Sequence, residues 1–438
     1  MKNTIIRAEC IDMTYEGYGV CRLNELVIFV KGMIDGEIAD IKIISHKKNM
    51  AYAIIDKLIK KSQHRIEPLC KVAYKCGGCD LRHISYDYQL ELKKRWVKNT
   101  VKNISLMDLE VKDVVPSPLE NNYRNKVQIP CADGVMGFYR NNSHDIVETD
   151  NCVIQSELSN EIIEKIKTLI KKYHVDKYIR HVLIKHAFGT GEIMLGIISR
   201  SADIEHIQDI VEELISSFDM IKSIVLNINT RNDNVILGDE EIVLYGNGYI
   251  TDILDGLKFR ISLKSFYQVN SLQTVNLYNE VVKRADINKD TRVLDLYSGI
   301  GSISLFVARY AKEVTGVEIV EAAVNNAKEN ARINHLDNVS FYLEDASCNQ
   351  IKHLKDKDVV IVDPPRKGLS RVLIKDIAQS DISKVVYVSC NPATLARDIS
   401  YFNEEGYTCD YVRPFDMFPH SVHVESVVLM SRLNTHKE

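Results

Sequence analysis

Residues 291–311, TRVLDLYSGIGSISLFVARYA, decide the fold of the C-terminal part of the chain. An apolar run is followed by a glycine turn and then by apolar residues at helical spacing, which predicts a buried strand, a tight turn and a helix. Strand-like apolar runs continue to alternate with helical patterns towards the C-terminus. This βαβ alternation predicts an open parallel sheet over residues 256–438.

Acidic residues follow the next two predicted strands. The strand predicted in VTGVEIV ends at Glu318, 19 residues after Gly299, and VSFYLEDAS contains Asp345. At these places a carboxylate can accept hydrogen bonds from ribose hydroxyls, and another can receive an adenine amine. The glycine loop lacks the third glycine of the pyrophosphate fingerprint and carries Ser302, so S-adenosylmethionine fits better than a dinucleotide. The alternative is an ordinary strand, turn and helix without a ligand.

A fourth predicted strand, DVVIVDPPRKGL, runs into Asp363 and two prolines. The prolines stiffen a loop that has to keep its carbonyl groups still. Amino-group methyltransferases use an acidic or amide residue followed by two prolines and an aromatic residue, but here Arg366 replaces the aromatic residue. The replacement argues against amino-group methylation and favours a negatively charged or carbonyl-rich target.

The fifth predicted strand, in KVVYVSCNPATLARD, ends at Cys390, and a helix is predicted to begin near Ala393. Ligands bind at this end of open α/β sheets, and a thiol near a helix N-terminus gains thiolate character. A buried structural cysteine is the alternative. FDMFPHSVHVESVVLMSRL places Glu425 at the start of a final strand. The sequence therefore predicts a nucleophile and a base on neighbouring strand ends.

Three of the ten cysteines are grouped in CKVAYKCGGCD, namely Cys70, Cys76 and Cys79. The spacing indicates a metal site, and Cys152 in TDNCVIQ is the preferred fourth ligand. Four thiolates suit structural zinc or an iron–sulfur cluster, and the spacing does not choose between them. Buried thiols without a ligand are the alternative.

Residues 1–60 contain short strand-like runs separated by turn signals, which predicts a small all-β barrel of a kind that often binds single-stranded nucleic acid. The chain as a whole carries a net charge of −4, but residues 1–100 contain 18 Lys and Arg against 12 Asp and Glu. An excess of basic residues in this N-terminal region favours a polyanionic partner. The alternative is a solvated lysine-rich helix face, since a basic helix is predicted near residues 90–102.

The 438 residues, 45% of them hydrophobic, are enough for several domains with their own cores. Between the barrel and the C-terminal sheet, residues 61–255 have a mixed pattern, with further helices expected near 157–173 and 204–218. No apolar run is long enough for a membrane helix, and the N-terminus does not resemble a secretory signal. We therefore expect a cytoplasmic, monomeric protein without a membrane partner.

These motifs together resemble the RNA uracil-5-methyltransferase family, in particular the branch that acts on 23S ribosomal RNA. The motifs that carry the resemblance are EGYGV, the C-x5-CGGC cluster, YRNKVQ, GFYR, FYQVN, LDLYSGIG, VDPPRKG, SCNPATLARD and DMFPHSVHVES. The resemblance implies a TRAM-like, OB-like β-barrel over residues 1–60, a central α+β domain with an iron–sulfur cluster over 61–255, and a Rossmann-like class I methyltransferase domain over 256–438. Transfer-RNA members generally lack the barrel and the cluster, so their presence favours ribosomal RNA.

By this resemblance, Cys390 is the nucleophile that adds to carbon 6 of a flipped-out loop uridine, and Glu425 removes the proton from carbon 5 after methylation. The residues that match contacts to S-adenosylmethionine are Gln268, Tyr297, Ser302, Glu318, Asp345 and Asp363. The implied ligands of a [4Fe-4S] cluster are Cys70, Cys76, Cys79 and Cys152. The alternative functions are a transfer-RNA uracil-5-methyltransferase, a non-catalytic RNA-binding protein on a methyltransferase scaffold, and an amino-group methyltransferase.

Overall fold

The computed structural model describes residues 2–132, 134–347 and 350–433. The N-terminal strands form a closed barrel in the order β1-β2-β3-β5-β4. Their bounds are Ile5–Met13 (β1), Tyr18–Leu23 (β2), Leu26–Lys31 (β3), Ile38–His46 (β4) and Met50–Lys60 (β5). Alternate residues of β4 are buried, as the period of two in a strand requires when one face lines a core. The prediction of an N-terminal all-β barrel is therefore confirmed.

A second sheet has seven strands in the order β12-β11-β10-β9-β6-β7-β8. The cysteine-rich loop precedes helix α1, Tyr86–Ser105, which contains the predicted basic helix. The elements that follow are Lys126–Ala132 (β6), Val135–Tyr139 (β7), Ile146–Glu148 (β8), Glu157–Tyr173 (α2), Ile179–His186 (β9), Ile193–Ser199 (β10), Ile207–Ser217 (α3), Ile221–Ile228 (β11) and Glu240–Gly246 (β12). The apolar faces of α2 and α3 pack on this sheet in one shared core. Both helices lie where the sequence predicted helices.

A hairpin and a helix connect the second sheet to the C-terminal sheet. The hairpin strands are Tyr249–Leu254 (β13) and Leu257–Ser262 (β14), and the helix is Ser271–Ala285 (α4). Phe259 of the hairpin, Leu277 of α4 and Met194 of β10 belong to one core that continues under the C-terminal sheet. The connection is therefore a packed interface between the two sheets.

The C-terminal sheet has the order β17-β16-β15-β18-β19-β21-β20. Its elements are Arg292–Leu296 (β15), Ser302–Ala308 (α5), Glu313–Glu318 (β16), Glu321–Ile333 (α6), Val339–Leu343 (β17), Ile351–Leu354 (α7), Val359–Val362 (β18), Arg371–Gln379 (α8), Lys384–Ser389 (β19), Pro392–Glu404 (α9), Tyr407–Phe415 (β20) and Glu425–Arg432 (β21). Every residue of β18 is buried, as expected of a central strand with helices on both faces. The predicted α/β domain is present.

One strand departs from the predicted parallel sheet. Strand β21 runs antiparallel to β19 and to β20. The segment 416–424 between β20 and β21 contains no helix. Since a parallel return needs a crossover of roughly a dozen residues or more, so short a connection gives an antiparallel strand.

Helix α1 packs against the C-terminal sheet domain as well as the barrel. Val97 and Val101 share a core with Leu395 and Phe402 of α9. The division of the chain at residues 60 and 255 stays a prediction. None of the helices in the described part of the chain is long and apolar enough to cross a membrane.

Candidate active site

The C-terminal sheet brings most of the predicted site residues to one edge. Tyr297 follows β15, Glu318 ends β16, Asp363 follows β18 and Cys390 follows β19. These four strands are parallel, so their carboxyl ends lie at the same edge. Glu425 lies at the same edge because β21 runs the opposite way and begins there.

Cys390 and Glu425 lie next to each other on paired strands. Ser389 at the end of β19 pairs with Ser426 of β21, which places the two site residues on adjacent strand ends. Only 5% of Glu425 is exposed to solvent. The arrangement presents a thiol and a nearly inaccessible carboxyl group to the same space.

The thiol of Cys390 does not have the thiolate character that the sequence predicted. Burial, and then the negative charges of Glu425 and Asp363, raise the pKa of Cys390 to about 11. The side chain of Asn391 caps α9 by accepting a hydrogen bond of 3.0 Å from the Ala393 amide. The first-turn N–H group is therefore used by the cap and is not directed at the sulfur.

The two carboxyl groups beside Cys390 have raised pKa values. Desolvation raises the pKa of Asp363 to about 7. Burial, followed by the charge of Asp363, holds the pKa of Glu425 well above its usual range, while Arg366 acts in the opposite direction. Perturbed acids of this kind concentrate at functional sites. The Arg366 guanidinium also donates to Nδ1 of His423 at 3.1 Å.

Glu318, at the end of β16, is hydrogen-bonded to the glycine loop that follows β15. Its carboxylate accepts hydrogen bonds of 3.0 Å from the Gly299 amide and 2.9 Å from the Val320 amide. Gly301 has a φ of 80°, and a Cβ atom there would lie 2.7 Å from the ring of Phe341. The loop therefore requires glycine at this point and keeps its backbone close to the sheet edge.

The remaining predicted contacts lie around this loop. Ser302 begins α5, and its hydroxyl bonds to the hydroxyl of Tyr278 at 2.8 Å. Gln268 is buried just before α4, and its carbonyl accepts a hydrogen bond of 2.8 Å from Asn125. Asp345 follows β17 by two residues and accepts from the Ser347 amide at 2.8 Å.

Two buried residues at this edge were not singled out from the sequence. Asp295 is 1% exposed; one carboxylate oxygen accepts a hydrogen bond from Ser304 and the other has no partner. Burial raises the pKa of Asp295 to about 7. Tyr278 of α4 is also buried, and the charges of Asp363 and Glu425 contribute to raising its pKa. An aspartate inside an otherwise apolar strand was the sequence signal for Asp295.

The predicted cysteine site is a separate cavity of about 190 Å³. Cys70, Cys76, Cys79 and Cys152 all line it, so residues distant in sequence are brought together. Burial raises the pKa of Cys79 to about 12 and that of Cys152 to about 11. Within the described ranges, no group of three or more His, Cys, Asp or Glu side chains is arranged to hold a metal ion.

The basic residues of the N-terminal part of the chain lie in two different places. On α1, Lys93 pairs with Asp416, Lys94 with Asp113, and Arg95 with Asp35. These side chains form ion pairs within the protein. The pairing does not support a polyanion-binding face on that helix. A cavity of about 440 Å³ lies between the barrel and the cysteine loop, and its lining includes Lys31, Arg65, Arg82, Tyr18 and Tyr74.

The strand order and the residues at the sheet edge are those of a methyltransferase fold. A parallel sheet with one inserted antiparallel strand, a glycine turn after its first strand and a carboxylate at the end of its second form a methyltransferase fold. Comparison with known families places the chain more closely: it belongs to the tRNA (uracil-5-)-methyltransferase family, which matches residues 85–433.

Relatives cover nearly the whole chain. An uncharacterized RNA methyltransferase of Bacillus cereus is 42% identical, over 99% of this chain and 97% of its own length. An uncharacterized RNA methyltransferase of Caldanaerobacter subterraneus is 41% identical, over 96% of each chain.

One solved structure is similar over almost its full length. The tRNA (uracil-54, C5)-methyltransferase of Pyrococcus abyssi, in complex with S-adenosyl-L-homocysteine, has a TM-score of 0.80 and 29% identity, and covers 97% of this chain and 99% of its own. Coverage of this extent includes the barrel region. The barrel is therefore shared with an enzyme named for transfer RNA, and its presence does not distinguish the two RNA substrates.

Proposed function

We propose that the protein transfers a methyl group from S-adenosylmethionine to carbon 5 of a uridine in 23S ribosomal RNA. The observation that carries the proposed reaction is the position of Cys390 beside Glu425, fixed by the pairing of Ser389 with Ser426. The choice of 23S ribosomal RNA rests on the resemblance of the cysteine cluster to that of the ribosomal-RNA branch. A nucleophile adjacent to a buried base suits a reaction with a covalent intermediate, and neither an amino-group methyltransferase nor a non-catalytic scaffold needs this pair.

In the proposed reaction, the Cys390 thiol gives up its proton to solvent and reacts as the thiolate. Its sulfur adds to carbon 6 of uracil, and the electron pair of the 5,6 double bond moves towards the carbonyl at carbon 4. This addition makes carbon 5 nucleophilic. When bound, S-adenosylmethionine supplies the electrophilic methyl group. Glu425 then takes the proton from carbon 5, the C–H electron pair restores the double bond, and the bond between carbon 6 and Cys390 breaks to release the thiolate.

The residues around the glycine loop are proposed to bind the cofactor. Glu318 follows the second strand, where a carboxylate can accept from the ribose hydroxyls, and Asp345 follows the third, near the expected adenine. We assign Gln268, Tyr297, Ser302 and Asp363 to the same site. Asp363 is buried with its pKa raised to about 7, and perturbed carboxyl groups of this kind concentrate at functional sites, which supports the assignment.

Trapping of the covalent intermediate tests this function. Glu425→Gln should retain thiol addition and methyl transfer but lose proton removal, so a methylated protein–RNA complex should survive denaturing electrophoresis. The Cys390→Ala variant is the matched control and should form none. Absence of the complex with Glu425→Gln under conditions in which the wild type methylates RNA would refute the mechanism.

We further propose that Cys70, Cys76, Cys79 and Cys152 bind a [4Fe-4S] cluster. The four thiols line a single cavity, and four thiolates are a ligand set of a [4Fe-4S] cluster. Protein purified without oxygen should contain about four iron and four sulfide per chain. A colourless, zinc-loaded protein would contradict this assignment.

Transfer RNA is a second candidate substrate, and the full-length similarity to the Pyrococcus abyssi enzyme favours it. The two candidates predict different locations of 5-methyluridine. Deletion of the gene should remove the modification from 23S ribosomal RNA and leave transfer RNA unchanged. Loss from transfer RNA alone would establish the second candidate.

We place part of the RNA-binding surface at the cavity between the barrel and the cysteine loop. Lys31 can neutralise a phosphate there, while Tyr18 and Tyr74 offer rings on which bases can stack. Lys31→Gln should weaken RNA binding and reduce its salt dependence. Lys94→Gln on α1 is the control, since Lys94 already pairs with Asp113.

A further inference from the structure

The segment 416–424, which joins β20 to β21 and leads into Glu425, is held by residues from outside the C-terminal sheet domain. On α1, Lys93 Nζ donates to Asp416 at 2.7 Å and to the carbonyl of Phe418 at 3.1 Å. Neither the Lys93 nor the Asp416 side chain is exposed to solvent. A buried ion pair therefore anchors the beginning of the segment to α1.

A second contact from α1 fixes a turn in the same segment. The His420 amide donates to Oε1 of Gln89 at 2.9 Å, and Nε2 of Gln89 lies 3.2 Å from Nδ1 of His420. His420 has a φ of 68°, in the left-handed region that residues other than glycine rarely adopt. Gln89 thus supports a backbone conformation close in sequence to Glu425.

Four successive carbonyls of the segment each accept a hydrogen bond from a different part of the chain. The donors to residues 417, 418, 419 and 420 are the Asn270 side chain at 3.3 Å, the Lys93 ammonium at 3.1 Å, the Tyr123 hydroxyl at 3.1 Å and the Leu81 amide at 2.9 Å. Such contacts satisfy buried carbonyls in a segment that has no ladder or helix of its own.

We propose that Gln89, Lys93 and Tyr123 are positioning residues for Glu425, acting through segment 416–424. The inference rests on the proposed function, in which Glu425 acts only after methyl transfer. Cys390 follows β19, which pairs with β18 as well as with β21, so its position has a support that the segment does not provide. Loosening the segment should therefore slow proton removal while thiol addition and methyl transfer continue, because small misplacements of a catalytic group are costly.

The test separates the two steps with the full-length protein and an RNA substrate that it methylates. Single-turnover transfer of a labelled methyl group reports thiol addition and methylation, and release of tritium from carbon 5 of uridine reports proton removal. In Gln89→Met we expect methyl transfer within about twofold of the wild type, tritium release slowed by roughly 10–100-fold, and accumulation of the covalent complex.

Two further variants keep the test decisive. Tyr123→Phe removes only the hydroxyl that donates to Pro419, and should show a smaller change in the same direction even if Gln89→Met does not fold. Ser105→Ala removes a buried hydrogen bond of 2.7 Å within α1 that does not involve the segment, and both rates should stay unchanged.

Equal slowing of both steps in Gln89→Met and Tyr123→Phe, or no slowing of tritium release in either, overturns the proposal. Glu425→Gln measured in parallel keeps this outcome distinct from failure of the proposed function. If Glu425→Gln accumulates the complex and the positioning variants do not, only the positioning role is wrong. If Glu425→Gln accumulates none, the proposed reaction itself fails.

Discussion

Ser389 pairs with Ser426 across two antiparallel strands, and this register sets Cys390 against Glu425. A thiol and a carboxyl group so placed influence each other's protonation, because each anion disfavours the other. This arrangement therefore favours the protonated form of each group.

The reactivity of Cys390 should reflect its high pKa. Because the pKa is raised to about 11, the thiolate fraction grows about tenfold per pH unit between pH 7 and 10. Alkylation of the Cys390 peptide by iodoacetamide, followed by mass spectrometry, should rise with the same slope. A plateau near pH 8.5 would contradict the proposed environment of the thiol.

Arg366 should assist both proposed catalytic groups. Its charge opposes the rise of the pKa of Cys390 and of Glu425. Arg366→Gln should therefore slow alkylation of Cys390 and formation of the RNA complex at pH 8 by about 3–10-fold. Lys367→Gln, in the same loop, is the matched control and should leave both rates near the wild-type values. Equal slowing in the two variants would argue against a specific role for Arg366.

Asp295 should lower stability at high pH. Its pKa is about 7 in the folded protein and about 4 when unfolded, so the folded state binds the proton more tightly and loses stability as the pH rises from 4 to 7. Asp295→Asn removes this dependence and should raise Tm at pH 8 by roughly 3–10 °C, with little change at pH 4.

Thermal unfolding at the two pH values measures this effect. Asp290→Asn changes an exposed aspartate before the same strand and should not alter Tm at either pH. An Asp295→Asn variant that is less stable than the wild type at pH 8 would show that the charged form is the one favoured by the fold.

The buried pair of Lys93 and Asp416 should matter for stability. Lys93→Met leaves a carboxylate without its partner inside the protein and should cost about 3–5 kcal/mol. Lys94→Met breaks an exposed pair on the same helix and should have little or no effect. Chemical unfolding monitored by tryptophan fluorescence compares the variants, since Trp96 lies on α1. Similar losses in the two variants would contradict the difference in burial.

The local order of helices and strands follows from the amino-acid sequence alone. Apolar periodicity was sufficient for the strand-turn-helix of residues 291–311, for α2, and for the strand ends that carry Glu318, Asp363 and Cys390. These features depend on neighbours in the chain, and parallel strands bring their carboxyl ends to one edge whatever else the fold contains.

The tertiary structure was needed for every feature that depends on contacts between residues far apart in the chain. It placed Cys152 in the cavity of the other three cysteines, reversed β21 so that Glu425 meets Cys390, and enclosed Lys93 in an ion pair instead of exposing it. It also showed that burial and nearby carboxyl groups raise the pKa of Cys390. Desolvation and charge proximity are set by packing in three dimensions, so local sequence patterns do not contain them.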